Sequence, residues 1–260
     1  MSAVRGSVLV ALALWLLACV APLAAQERIE RYDIQVAVNA DGSLDVTERI
    51  DVQARGERIR RGIYRDFPTR YRDRLGNRVV VGFEVVEVLR DGRPEPWFTE
   101  SIGNGVRLNT DSDELLPVPA THRYTLRYRT TRQLGFFERH DELYWNAIGT
   151  GWEFPIEAGS VEVRLPQPVA PAELRLEAYT GAQGARGLAY EAGSPAPGIA
   201  RWQLAAPLAP GEGLTIVLGF PKGAATTPLG KPSTMVRPSP GASGAASRQR
   251  AMPGAEAPAS

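Results

Sequence analysis

Three carboxylic acids, Asp141, Glu142 and Glu153, lie among four large aromatic residues in the run from His140 to Ile156. A glycosidase needs a pair of acids beside aromatic platforms, one as general acid and the other as base or nucleophile. Glu142 and Glu153 are the candidate pair for a carbohydrate-active hydrolase. Because residue types do not fix the distance between two carboxyl groups, we keep this reaction as the alternative.

A structural explanation of the same run is simpler, and we favour it. Asp141 and Asn146 can hydrogen-bond nearby backbone in a turn, and Glu142 can pair with an arginine. Three aromatic residues can fill the core or cover one end of it: Tyr144, Trp145 and Trp152. We therefore predict no catalytic residue, and we expect Trp145→Ala to cost about 3–5 kcal/mol of stability.

A second cluster lies in the segment from Arg55 to Arg74, where eight arginines outnumber the acids Glu57, Asp66 and Asp73 by five. At one edge of the fold this charge could bind anionic lipid headgroups or an acidic glycan. The alternative is a solvated loop whose arginines pair with acids elsewhere. Such acids are Glu84, Glu87, Glu138 and Asp141.

The two clusters together supply the predicted binding residues. These are Arg60, Arg61, Tyr64, Arg65, Asp66, Asp141, Glu142, Tyr144, Trp145, Asn146 and Trp152. His122 and His140 are the only histidines and Cys19 is the only cysteine, with no zinc-site spacing, so we predict neither a metal nor a cofactor. The net charge of +1 argues against a nucleic-acid partner.

Residues 1–25 are predicted to be a signal peptide. Arg5 precedes an uncharged apolar run, and Leu23-Ala24-Ala25 provides small residues before Gln26. The protein is therefore expected to be exported to the periplasm or cell envelope. The sequence Leu16-Leu17-Ala18-Cys19 also resembles a lipobox, so the alternative is an acylated Cys19 and membrane association.

Alternating apolar residues predict strands through most of the remaining chain. Ile29–Val52 is predicted to form a hairpin around Asp41-Gly42, and a second turn is expected at Asp91-Gly92. Further strands are predicted at 79–89, 94–98, 106–109, 121–130, 161–165, 173–179, 201–204 and 214–220. Because no segment has helical periodicity, residues 26–221 should form an all-β, antiparallel two-sheet sandwich with long loops.

From Lys222 to Ser260 the composition changes to Ala, Gly, Pro, Ser and Thr with scattered arginine. No aromatic residue follows Phe220. A segment of this composition cannot bury enough apolar surface to fold, so residues 222–260 are predicted to be a disordered tail.

Four motifs occur in a fixed order along the chain. They are Asp41–Glu48, Arg61–Pro68, Asp141–Gly149, and Trp152 with Pro155-Ile156. In these motifs the chain resembles the extracytoplasmic domain of the YciQ-like predicted membrane proteins, the domain of unknown function 2207 family. The resemblance implies a signal peptide, a β-rich domain outside the cytoplasm and a membrane helix, and it implies no catalytic residues.

That helix does not follow Gly223, so the chain is expected to be either truncated or a soluble or lipid-anchored branch. The expected function is a non-catalytic extracytoplasmic module of a membrane-associated protein. Its expected partner is a protein, a glycan or an anionic envelope surface.

Overall fold

The fold was analysed in a computed structural model of the chain. The structure describes residues 26–72, 78–110, 114–225 and 248–249. These residues are almost entirely β-strand, with one 3-10 turn at Pro171–Glu173, so the predicted all-β class is confirmed. The predicted signal peptide, Cys19 and most of the predicted tail lie outside the described residues. In the described ranges no helix is long and apolar enough to cross a membrane.

One layer is an eight-stranded sheet with the order β16-β17-β14-β1-β2-β10-β6-β7. Its strands are β1 (Arg28–Val38), β2 (Leu44–Ala54), β6 (Phe83–Arg90), β7 (Arg93–Pro94), β10 (Ala120–Thr130), β14 (Gly159–Arg164), β16 (Tyr190–Ala196) and β17 (Ile199–Leu204). The predicted hairpin is present, and Gly42 makes its turn with φ 78°. Asp91 (φ 52°) and Gly92 (φ 78°) make the second predicted turn.

The other layer consists of smaller sheets. A four-stranded sheet has the order β11-β12-β18-β15, a three-stranded sheet has the order β3-β9-β8, and β4-β5 and β13-β19 are two-stranded. Their strands are β3 (Tyr64–Pro68), β4 (Arg70–Arg72), β5 (Arg78–Val80), β8 (Trp97–Ile102), β9 (Gly105–Thr110), β11 (Leu134–Phe136), β12 (His140–Ile148), β13 (Gly151–Trp152), β15 (Arg175–Gly181), β18 (Gly213–Pro221) and β19 (Arg248–Gln249).

Among the strands that the structure describes, pairing is antiparallel with two exceptions. β1 pairs with β14 in parallel, and so do β13 and β19. The parallel pair in the large sheet follows from the route of the chain, because β14 is reached only after the chain has crossed the second layer. A parallel neighbour requires such a crossover.

The core lies between the two layers. Along β1 the apolar side chains alternate with polar ones, and Tyr32, Ile34 and Val36 are buried. Aromatic contacts join the layers: Tyr32 meets Trp152 edge-on at 5.9 Å, and the ring of Phe67 lies 4.8 Å from that of Tyr128. The burial of alternate residues explains why these segments fold as strands.

Two segments in which we predicted no strand contain strands. The arginine-rich segment contributes β3 and β4, and the run that begins at His140 is the nine-residue strand β12. Periodicity failed here because both faces of these strands carry polar residues. Asp141 and Glu142 are both buried, as are Arg65 and Asp66, so the usual alternation is masked.

Candidate functional site

A buried ion pair joins the first two motifs. Glu48 of β2 and Arg65 of β3 meet with Nε–Oε2 at 3.0 Å and Nη2–Oε1 at 3.2 Å. Tyr32 and Tyr128 donate their hydroxyl protons to the same carboxylate, at 2.5 and 2.7 Å. The Glu48 carboxylate is therefore saturated by three side chains in the core.

Arg65 also donates to the carbonyl of Ala147 in β12, at 3.2 Å. It therefore connects the eight-stranded, three-stranded and four-stranded sheets. Burial alone would lower the pKa of Arg65, but the Glu48 charge and its hydrogen bond, together with the Tyr32 and Tyr128 hydroxyl groups, outweigh this effect and raise it. Burial raises the pKa of Tyr32 and of Tyr128 well above the usual range, so both remain proton donors. We call the buried cluster of Glu48, Arg65, Tyr32 and Tyr128 the structural knot, because it joins strands of different sheets. Arg65 lies inside this cluster and not at the surface, where a binding residue would lie.

Tyr64 and Asp66, two more predicted binding residues, are also buried. Arg107 of β9 holds the Asp66 carboxylate with two hydrogen bonds of 2.6 and 2.9 Å. The same guanidinium lies 3.9 Å from the centre of the Tyr64 ring. The second motif is therefore used mainly for contacts inside the protein.

The first half of the arginine-rich segment wraps around one carboxylate. Glu27 is 2% exposed and accepts hydrogen bonds from the backbone N–H groups of Arg55, Glu57, Arg58 and Ile59. These bonds fix the loop backbone, with Ile59 buried in the core and Arg55, Glu57 and Arg58 at the surface.

The arginines of this segment have different surroundings. Arg58 pairs with Glu153 and lies over the Phe154 ring, whereas Arg60 is exposed and Arg61 is partly buried. None of these contacts is to Glu84, Glu87, Glu138 or Asp141, the acids expected from the sequence. Glu87 instead pairs with Arg127, and Asp141 with Lys222 at 2.6 Å.

Strand β12 directs its residues alternately to two sides. Leu143 and Ala147 are fully buried, and Trp145 packs partly buried against the same core. The other set points away from the core: Glu142, Tyr144 and Asn146. Trp152, which follows in β13, is 1% exposed and lies against Tyr32 in the core. The third motif is therefore divided between the core and the outer face.

The outward residues of β12 form rows with those of β18 and β15. One row is Glu142–Gly219–Arg175, the next is Tyr144–Val217–Glu177, and the third is Asn146–Thr215–Tyr179. We call these nine residues the recognition face. They cover the outer side of the four-stranded sheet.

Side chains of the recognition face hold one another in place. Thr215 donates to the Asn146 amide oxygen at 2.7 Å, and Tyr179 donates to Glu177 at 3.0 Å. Val217 is 2% exposed although it lies in the same row as Tyr144 and Glu177. A small open depression lies over Gly219. Its walls are His140, Glu142, Arg175, Glu177 and Val217.

The outer face of the eight-stranded sheet is different in character. It is covered by pairs of arginine with aspartate or glutamate. The pairs are Arg123–Asp51, Arg129–Asp45, Arg127–Glu87 and Arg201–Glu162. Because these charges already satisfy one another across the strands, this face resembles a solvated surface more than a binding site.

The two acids of the alternative hydrolase are not brought together. Glu142 lies opposite Gly219 in β18, whereas the carbonyl of Trp152, the neighbour of Glu153, accepts from Gly211 before that strand begins. The six steps along the strand from Gly213 to Gly219 span roughly 20 Å. Glycosidase carboxyl groups are separated by only about 5–10 Å. Among the described residues, no group of three His, Cys, Asp or Glu side chains could hold a metal ion.

Sequence reasoning missed several residues of both clusters. Glu48 could have been recognised from the sequence. It lies on the apolar side of β2, in line with Val46 and Ile50, and a single acid at such a position requires a buried partner. No feature of the sequence identified the recognition-face residues Arg175, Glu177 and Tyr179. They become neighbours of β12 only through the intervening strand β18.

Two solved structures are similar to this chain at a low level. Native yeast LTA4 hydrolase has a TM-score of 0.46 at 12% identity, over 75% of this chain and 29% of that one. The M1 zinc metallopeptidase from Deinococcus radiodurans has a TM-score of 0.41 at 16% identity, over 74% and 42%. Similarity at this level says nothing about function.

Sequence comparison is more specific. The uncharacterized protein YciQ of Escherichia coli (strain K12) is 29% identical over 160 residues, 61% of this chain and 25% of that protein. The match thus spans about a quarter of that relative's length. The family model described as "Predicted membrane protein (DUF2207) N-terminal domain" matches residues 28–220 of this chain. These residues include all four motifs. The chain therefore belongs to the DUF2207 family of predicted membrane proteins, whose function is unknown.

Proposed function

We propose that this domain is a non-catalytic extracytoplasmic module that binds a partner in the cell envelope through the recognition face. The observation that carries the proposal is the alternation of β12. Its inward residues Leu143, Trp145 and Ala147 hold the sandwich together. On the other side Tyr144 and Asn146 reach the surface, and Glu142, which is 5% exposed, lines the depression. One motif thus serves both the fold and the binding site.

Absence of catalysis is supported by how the reactive side chains are used. Glu48 and Arg65 neutralise each other in the core, and Asp66 and Asp141 are buried and paired with cations. A general acid or base must reach its substrate, and these groups face protein on every side. Glu142 and Glu153 are too far apart to act as a glycosidase pair.

The recognition face is a better candidate than the arginine-rich segment. Of the arginines predicted to bind, Arg65 is enclosed in the knot and Arg61 is partly buried, which leaves only Arg60 exposed. Leu116 donates its N–H to the carbonyl of Arg60, which brings the exposed Glu114 into the neighbourhood. The local positive excess is therefore smaller than the sequence suggested.

The extracytoplasmic location rests on the sequence. Residues 1–25 have the pattern of a signal peptide, or of a lipoprotein signal with Cys19 as the acylated residue. Either route places the domain on the outer side of the cytoplasmic membrane. The family's description as predicted membrane proteins agrees with a position at the envelope.

Co-sedimentation of the full chain with an envelope fraction from the producing cell tests this function. We expect the wild type to pellet with the envelope and the double variant Tyr144→Ala/Asn146→Ala to remain largely in the supernatant. The matched control is Arg127→Ala/Arg201→Ala on the opposite outer face, which should pellet like the wild type. A wild type that stays in the supernatant, or a double variant that pellets equally well, would overturn the proposal.

A further inference from the structure

We propose that the partner of the recognition face is an uncharged glycan, bound along the rows of the sheet with one polar substituent in the depression over Gly219. The inference rests on the proposed function and names the ligand class for the same surface. Three properties of the face support it: its charge, its aromatic residues and the shape of the depression.

The charged groups of the face nearly balance. Glu142 lies in the same row as Arg175, and Glu177 lies in the next row on the strand of Arg175; all three line the depression together with His140. A polyanion would meet two carboxylates there, and a polycation would meet the guanidinium. Neutral hydroxyl groups can both donate to a carboxylate and accept from a guanidinium, so a polyhydroxylated ligand suits both kinds of group.

The aromatic residues of the face are tyrosines on the two strands that flank β18. Tyr144 and Tyr179 are both partly buried, and their hydroxyl groups make them apolar and polar at once. Sugar rings have the same dual character, with C–H groups on their faces and hydroxyls at their edges. Two strand spacings separate the tyrosines, about 10 Å across the sheet. A chain of sugars can contact both at once.

The depression exists because Gly219 has no side chain. A Cβ at this position would approach Cβ of Arg175 to 3.3 Å and would occupy the floor between Glu142 and Arg175. The space is small and polar, with an acceptor on one wall and a donor on another. It fits one hydroxyl group or a substituent of similar size. The depression can therefore discriminate between glycans that differ in this substituent.

Calorimetric titration of the full chain with three neutral tetrasaccharides tests the inference: tetra-N-acetylchitotetraose, cellotetraose and maltotetraose. We expect saturable binding of at least one. Gly219→Ala should weaken it by about tenfold, equivalent to about 1.4 kcal/mol. The matched control is Gly193→Ala, where a new methyl group meets nothing within 4 Å. Its affinity should equal that of the wild type.

Two results would overturn the glycan assignment: no binding of any of the three sugars, or equal affinity of Gly219→Ala and wild type. If envelope co-sedimentation still depends on Tyr144 and Asn146 in either case, the proposed function stands and the partner is a protein or a lipid surface. If the wild type neither pellets with the envelope nor binds a sugar, the glycan assignment and the proposed function fall together.

Discussion

Glu48 and Arg65 form a buried ion pair that joins the two layers of the sandwich, although they are far from any surface on which a charge could act. Each comes from a different motif of the family, and each has further partners. Tyr32 and Tyr128 donate to Glu48, and Arg65 donates to the backbone of β12. The motifs are thus linked first of all by the requirements of the fold.

Removal of one member of this pair should be severe. Arg65→Met leaves the Glu48 charge buried without its counterion, and we expect a loss of about 3–5 kcal/mol in urea unfolding. The double variant Glu48→Gln/Arg65→Met should lose less, because no isolated charge remains. Arg127→Met is the control, since both side chains of its pair with Glu87 are exposed and the pair should contribute less than about 1 kcal/mol. An Arg65→Met loss no larger than this control would contradict the structural role.

Gly62 should tolerate no side chain. A Cβ there would lie 2.1 Å from the carbonyl oxygen of Thr110, which is backbone and cannot rotate away. Gly62→Ala should therefore cost about 3 kcal/mol or more. Gly193→Ala, which meets nothing within 4 Å, should stay within about 0.5 kcal/mol of the wild type in the same unfolding experiment. Equal stability of Gly62→Ala and Gly193→Ala would contradict the close approach of Gly62 to the Thr110 carbonyl.

Glu27 should control the order of the loop that follows β2. Glu27→Ala removes the acceptor of four backbone N–H groups, and we expect a loss of more than about 2 kcal/mol. Hydrogen exchange should accelerate at Arg58 and Ile59 and stay slow at Val46 in the centre of β2. Unchanged protection at Arg58 and Ile59 would mean that the loop is held by other contacts.

Acid should weaken the hairpin of β1 and β2. Hydrogen bonds from Ser43 lower the pKa of Asp41, and the bond from Arg129 lowers the pKa of Asp45. Because these pKa values are lower in the folded state, both carboxylates stabilise the fold above the unfolded value of about 3.9. This contribution is lost as the pH falls below it. The stability gap between wild type and Asp45→Asn should therefore narrow from pH 7 to pH 3. A stability difference that stays constant over this pH range would contradict the lowered pKa of Asp45.

Much of the fold was predictable because the buried positions of most strands are apolar residues, which form a simple pattern in the sequence. The hairpin of β1 and β2 and the strands β10, β14 and β17 alternate apolar and polar residues, and β18 is a nearly continuous apolar run, so their positions could be read directly. β16 was missed because it lies at the sheet edge, where nearly all of its side chains are exposed or only partly buried. β3 and β12 were missed because their buried positions include charged residues.

The candidate site was less predictable than the fold. Glu142, Tyr144 and Asn146 were identified by type, but their separation from Trp145 follows only from the knowledge that β12 is a strand. Arg175 and Tyr179 join them through pairings of distant segments, and a sequence without its register does not contain that information. For the same reason Arg65 and Trp152 were expected at a binding surface and lie in the core.

The most direct test of the account compares two adjacent residues of β12. Tyr144→Ala and Trp145→Ala are each measured for stability by urea unfolding and for binding by envelope co-sedimentation. We predict that Tyr144→Ala loses binding and changes stability by less than about 1 kcal/mol, whereas Trp145→Ala loses at least about 2 kcal/mol of stability. Below its unfolding transition, Trp145→Ala should still bind. Loss of stability in Tyr144→Ala with binding intact would contradict the division of this strand between fold and recognition.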